Sequence, residues 1–65
     1  MLKRRALEKH LRAHGCECFK HGGSHDRWVS PAGKRSTVPR HREIGAVVAR
    51  AICEQLGVEV PENPR

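Results

Sequence analysis

The chain has 65 residues and is strongly basic, with 13 Lys and Arg against 7 Asp and Glu and a formal charge of +6. A chain this short buries roughly 60% of the surface that it exposes when unfolded, which excludes large barrels, dinucleotide-binding folds and deep active sites. Excess positive charge favours a polyanionic partner, with nucleic acid ahead of an anionic membrane. We expect one small domain over residues 1–57 and a loose tail over residues 58–65.

The sequence predicts neither a membrane-spanning segment nor an export signal. Arg50 interrupts the longest apolar run, well before the roughly 18 residues that a transmembrane helix requires. The basic residues after Met1 are not followed by the apolar segment of a secretory signal. We therefore expect a cytoplasmic protein without a membrane partner, whose three cysteines are reduced thiols.

The first predicted element is a helix over residues 3–14. A narrow stripe of side chains recurs there at helical spacing and consists of Ala6, Leu7, His10 and Leu11. Gly15 follows where a left-handed C-terminal cap belongs. Residues 1–14 carry five basic groups and one acidic group, so this helix is either a solvated face or, as we favour, part of a surface that contacts phosphates or an acidic protein.

Three short strands are predicted next, over residues 16–21, 24–30 and 35–38. Gly22-Gly23 is typical of a two-residue hairpin turn between the first two strands. The segment from Pro31 to Lys34 predicts the second turn. Antiparallel pairing of all three strands follows from these short connections.

Alternation along the second strand separates its side chains into two sets. His25 and Arg27 point to one face of the sheet, whereas Asp26 and Trp28 point to the other. Trp28 is either a base-stacking residue or the anchor of the core. The second role is favoured because the chain has only one other Phe, Trp or Tyr residue, Phe19, with which to fill its core.

The last element is an amphipathic helix that ends at Gly57. Its predicted apolar face consists of Ile44, Val47, Val48, Ala51, Ile52 and Leu56. Gly45 weakens the first turn of this helix. The predicted order is α-β-β-β-α, an α+β fold with a three-stranded antiparallel sheet and both helices on one of its faces.

A zinc site is the weaker interpretation of the cysteine pattern. Cys16, Cys18, His21 and His25 supply four suitable ligand atoms. However, Cys18 and His21 are three residues apart and therefore point to opposite faces of a regular strand. We expect buried or half-buried thiols and no metal. His10 and His14, four apart on the first helix, are likewise expected to be solvated rather than bound to a metal.

The order of motifs in the middle of the chain resembles a known family. Gly23-Ser24-His25 lie at the start of the second strand and Val38-Pro39-x-His41 at the end of the third, before the apolar helix that ends at Leu56-Gly57. Over residues 3–57 this order resembles the HicA toxins. The resemblance implies a fold like that of the double-stranded-RNA-binding domain. It also implies a type II toxin that cleaves mRNA without a metal or other cofactor, His25 as catalytic residue, and a HicB-type antitoxin as partner.

The chemistry of RNA cleavage agrees with that expectation. Cleavage without a metal needs a base for the ribose 2′-hydroxyl, an acid for the 5′-oxygen and cations near the phosphate. Imidazole has an unperturbed pKa of about 6.5, which suits His25 for proton transfer, and His21 or His41 is the candidate acid. The predicted RNA-binding residues are Lys20, Ser24, Arg27, Arg40 and His41. The alternative is a non-catalytic module that binds double-stranded RNA by its shape and charge.

Overall fold

The computed structural model describes residues 2–61. Its elements in chain order are β1 (Leu2–Lys3), α1 (Arg4–Ala13), β2 (Glu17–His21), β3 (His25–Val29), β4 (Arg35–Pro39), β5 (Glu43–Ile44) and α2 (Ala46–Leu56). Strands β2, β3 and β4 form an antiparallel sheet with β3 at its centre. The predicted α+β class and the α-β-β-β-α order of the longer elements are confirmed. Neither helix within residues 2–61 is long and apolar enough to cross a membrane.

One apolar core lies between the two helices and the inner face of the sheet. Exposed and buried residues alternate along β3 and β4, and their inward side chains include Trp28 and Val38. Helix α1 buries Leu7 and Leu11 against them. Trp28 is the largest fully buried side chain, with 1% of its surface exposed. It is the anchor of the core rather than a stacking platform.

A two-residue ribbon joins the chain start to the entry of the second helix. Strand β1 pairs antiparallel with β5, which places Leu2 opposite Ile44, and both side chains are buried. The backbone N–H of Arg4 also donates to the carbonyl of Arg42 at 3.0 Å. Ile44, predicted to lie on the apolar face of the last helix, belongs to this ribbon instead.

Helix α2 buries a different stripe from the predicted one. It begins at Ala46, after Gly45 as N-cap. Its buried side chains are Ala49, Ile52, Cys53 and Leu56. The prediction that Val47 and Val48 face the core is wrong, because they are 82% and 45% exposed. With Ile44 outside the helix, the packing of α2 against the sheet sets the helical phase.

The first hairpin turns one residue later than predicted. The backbone N–H of Gly22 donates to the carbonyl oxygen of His25 at 2.8 Å, so Gly23 and Ser24 are the central turn residues. A Cβ atom on Gly22 would lie 2.5 Å from that carbonyl oxygen. The strands close this tightly only because Gly22 has no side chain.

The segment after α2 keeps contact with the core. Gly57 ends the helix, as predicted, and has the left-handed conformation, with φ of 73°. Val58 and Val60 are half-buried against the core, and the N–H of Val58 donates to the carbonyl of Cys53 at 2.9 Å. The predicted loose tail is therefore anchored at its start, while residues 62–65 lie outside the described residues.

Replacing Gly15 by alanine should destabilise the protein more than the same change at Gly33. Both glycines have left-handed φ values, 82° and 85°, which cost an L-residue roughly 1–2 kcal/mol. A Cβ atom at Gly15 would in addition lie 2.8 Å from Pro31 Cγ, whereas nothing lies within 4 Å at Gly33. We expect losses in the free energy of unfolding of about 2–4 kcal/mol for Gly15→Ala and about 1–2 kcal/mol for Gly33→Ala, measured by urea titration. Equal losses would show that the Pro31 contact is unimportant.

Candidate functional site

The outer face of the sheet brings together most of the predicted site residues. His25 opens β3 and is exposed, and Arg27 follows on the same face. Lys20 lies opposite Arg27 on β2. In β4, the other neighbour of β3, Thr37 lies opposite Arg27. An imidazole and two cationic side chains therefore share one open surface, which we call the outer face.

The turn before β3 positions the His25 ring. Ser24 Oγ and His25 Nδ1 are 3.1 Å apart, within hydrogen-bonding distance. Because this contact engages Nδ1, the other ring nitrogen, Nε2, is the one left to exchange a proton with a substrate. The two residues, with Gly22, Gly23, Arg27 and Thr37, line an open crevice of about 340 Å³. Such a shallow crevice admits a polymer backbone rather than enclosing a small molecule.

An exposed aromatic side chain extends this surface and was missed from the sequence. Phe19 is 46% exposed, and the Arg35 guanidinium lies 5.4 Å from the centroid of its ring. Phe19, Arg27, Arg35 and Thr37 contribute to a second crevice of about 290 Å³. Phe19 could have been predicted from the assignment of Trp28 to the core. With Trp28 buried, Phe19 is the remaining Phe, Trp or Tyr side chain that could stack on a base.

Arg40 and His21 lie on the inner side of the hairpin. Arg40 Nε is 3.1 Å from Asp26 Oδ1, and His21 Nδ1 is 3.2 Å from the same oxygen. The Asp26 side chain is only 8% exposed, so these partners compensate a buried carboxylate. The roles of Arg40 in binding phosphate and of His21 as an acid stay predictions. His41 is exposed, two residues beyond the end of β4.

The three cysteines have different environments. Cys16 and Cys53 are buried in the core, and burial raises the pKa of both thiols, with the nearby Cys16 adding to the effect at Cys53. Cys18 is half-buried, with Sγ 3.8 Å from His21 Nδ1. The four-residue zinc set considered from the sequence does not assemble, because Cys16 lies in the core and His25 lies on the outer face.

A comparison with protein families identifies the chain. The model of the HicA toxin of bacterial toxin–antitoxin systems matches residues 4–58. The chain belongs to the HicA toxin family. The match begins with α1 and ends just after α2, so it includes both helices and the whole three-stranded sheet. Comparisons with curated proteins and with solved structures gave no significant match. As a HicA toxin, the protein is one half of a toxin–antitoxin system and has an antitoxin as its partner.

Cys18 should react with iodoacetamide well before the other two thiols. Cys16 and Cys53 are shielded by the core, and their raised pKa values leave less thiolate at a given pH. A short pulse at pH 8, followed by peptide mass spectrometry, measures the order of labelling. In urea all three should react at similar rates. Native Cys16 or Cys53 labelling as fast as Cys18 would contradict this packing.

Proposed function

We propose that this HicA toxin is an endoribonuclease that cleaves mRNA without a catalytic metal and thereby inhibits translation, with His25 as its catalytic residue. The observation that carries the proposal is the position of His25 at the start of β3. Its ring is exposed on the outer face and contacts Ser24 through Nδ1. Arg27 lies on the same face, two residues along the strand.

The chemistry requires few groups. A base must take the proton of the ribose 2′-hydroxyl as the 2′-oxygen attacks phosphorus, and the leaving 5′-oxygen must receive a proton. His25 Nε2 fits the first task because its ring is exposed on the outer face and histidine is the side chain that most often serves as a general base. Arg27 and Lys20, which face each other across β2 and β3, would stabilise the charge that builds on the phosphate oxygens. His21 is hydrogen-bonded to Asp26 on the inner side, away from His25. His41 is therefore the better candidate for the acid.

The outer face favours a single-stranded or weakly structured RNA. Phe19 offers a ring on which one base can stack, beside the cationic side chains of Arg27 and Arg35. Aromatic stacking combined with a basic track is the usual basis of single-strand binding. Double-stranded RNA, in contrast, offers no unstacked base to such a ring.

The same surface suits the antitoxin. We propose that the partner is of the HicB type and covers the outer face, since masking His25 would stop cleavage. Lys20, Arg27 and Arg35 give this face a positive charge that an acidic protein surface would complement. An mRNA substrate places the activity in the cytoplasm.

Replacing His25 by alanine should abolish RNA cleavage while leaving the fold intact. General acid–base catalysis contributes about 10²–10⁴-fold to rate, so we expect a loss of at least about 100-fold on naked single-stranded RNA. His14→Ala is the matched control, because that ring lies at the end of α1 and contacts His10 rather than the outer face. Growth arrest on expression should follow the same pattern.

The result also separates an enzyme from a binding module. If the His25→Ala protein cleaves RNA as fast as the unmodified chain, His25 is not the catalytic residue. If the unmodified chain binds RNA but leaves it intact, the protein is instead a module that binds RNA through shape and charge. Circular dichroism and thermal unfolding of each variant show whether a loss of cleavage reflects unfolding.

Changes at Phe19 and Arg27 should weaken RNA binding in distinguishable ways. Phe19→Ala removes a stacking ring worth about 1–3 kcal/mol per base, with little effect on salt dependence. Arg27→Gln should reduce the slope of log affinity against log salt by about 0.7, since one phosphate contact on a single strand is lost. Fluorescence anisotropy with a 2′-O-methyl oligonucleotide, which lacks the 2′-hydroxyl nucleophile, measures both effects. Unchanged affinity in both variants would show that RNA binds outside the outer face.

A further inference from the structure

We propose that Cys18, His21 and Asp26 form a binding site for a divalent transition-metal ion, with zinc as the preferred ion, on the inner side of the β2–β3 hairpin. One ligand atom comes from each residue: Cys18 Sγ, His21 Nδ1 and an Asp26 carboxylate oxygen. We call these three residues the hairpin cluster. The proposed catalytic residue, His25, lies on the opposite face and is not part of this site.

The distances fit a metal ion with small adjustments. Sγ of Cys18 is 3.8 Å from Nδ1 of His21, which is 3.2 Å from Oδ1 of Asp26. No two ligand atoms of the hairpin cluster are more than 4.8 Å apart. Zinc bonds of about 2.0–2.3 Å in a tetrahedron place neighbouring ligand atoms about 3.3–3.6 Å apart. The separations of 3.8 Å and 3.2 Å lie close to this range, so we expect the ion to draw only the third pair, Cys18 Sγ and the Asp26 oxygen, closer together.

A β-bulge makes the hairpin cluster possible. The register passes from Cys18 opposite Trp28 to Lys20 opposite Arg27, so Phe19 is an extra residue without a partner in β3. In a regular strand, Cys18 and His21 would point to opposite faces. The extra residue shifts the alternation by one, and both side chains point inward toward Asp26. The argument from strand alternation against a metal at these positions therefore does not hold.

The donor set suits zinc. Thiolate, imidazole and carboxylate are its three usual protein ligands, and three such ligands leave the fourth position for a water molecule. The Asp26 carboxylate is buried and fixed on the central strand, whereas the His21 side chain is 71% exposed and gives the ion a path from solvent.

The Arg40 side chain disfavours metal binding, so its removal tests the proposal. Its Nε holds Asp26 Oδ1 at 3.1 Å, and its positive charge repels a cation. Arg4 and Arg12 line the same crevice together with Glu8, so the surrounding charge does not favour the ion either. Zinc must therefore displace Arg40 from one carboxylate oxygen or bind the other. Removing the Arg40 charge should strengthen metal binding, whereas a site elsewhere would not respond.

The test uses the full chain, freed of metal with a chelator and titrated with zinc by calorimetry. We expect one equivalent to bind. Cobalt added instead should show thiolate-to-cobalt charge-transfer absorption in the near ultraviolet. Cys18→Ser should remove that absorption, and both Cys18→Ser and His21→Ala should weaken zinc binding by more than about tenfold. Arg40→Gln should tighten it several-fold.

His14→Ala is the matched control, because His10 and His14 are the alternative histidine pair, with ring centroids 4.5 Å apart on α1. It should leave zinc affinity unchanged. The proposal is overturned if the unmodified chain binds no stoichiometric zinc, or if His14→Ala weakens binding while Cys18→Ser does not. Thermal unfolding of every variant without metal excludes loss of fold as the cause. Because no RNA is present, failure here leaves the proposed ribonuclease activity untouched.

Discussion

The alternation of side chains along the central strand β3 determines the rest of the molecule. Trp28 occupies the middle of the core with 1% of its surface exposed, which fixes the side of the sheet to which every β3 side chain points. A slip of one residue would expose Trp28 and bury His25 and Arg27, at the cost of the core and of two unpaired polar groups. The exposure of the proposed catalytic ring is thus a consequence of packing on the opposite face. The His25 ring does not require a deep pocket, so a domain of this size can expose a catalytic side chain.

Side chains also alternate between the two faces along strand β2, with one interruption. The bulge at Phe19 directs its aromatic ring and the Lys20 side chain toward the outer face while returning His21 to the inner side. The hairpin therefore has two chemically different surfaces. One is cationic and open, with an exposed aromatic ring. The other holds a thiol, an imidazole and a buried carboxylate whose ligand atoms lie within 4.8 Å of one another.

Much of the fold follows from local patterns in the sequence, whereas the exceptions depend on long-range contacts. Gly15 and Gly57 mark the helix ends, and the period of two in β3 separates His25 from Trp28, because these signals are local. The pairing of β1 with β5 involves two residues on each side, too few for any periodicity. Val47 and Val48 match a helical pattern that includes Ile44, but Ile44 is held in the ribbon, so the phase of α2 is set by tertiary packing. The bulge has no local sequence signal, so the hairpin cluster was not predicted.

We propose that RNA binds the outer face and leaves the inner side of the hairpin free. Nuclear magnetic resonance of labelled protein, titrated with a short 2′-O-methyl RNA that cannot be cleaved, tests it directly. We predict that the largest changes in chemical shift occur at Phe19, His25 and Arg27, including the His25 imidazole signals. Those of His21 and Asp26 should change little. Changes centred on the hairpin cluster or on α1, with His25 unaffected, would contradict RNA binding at the outer face.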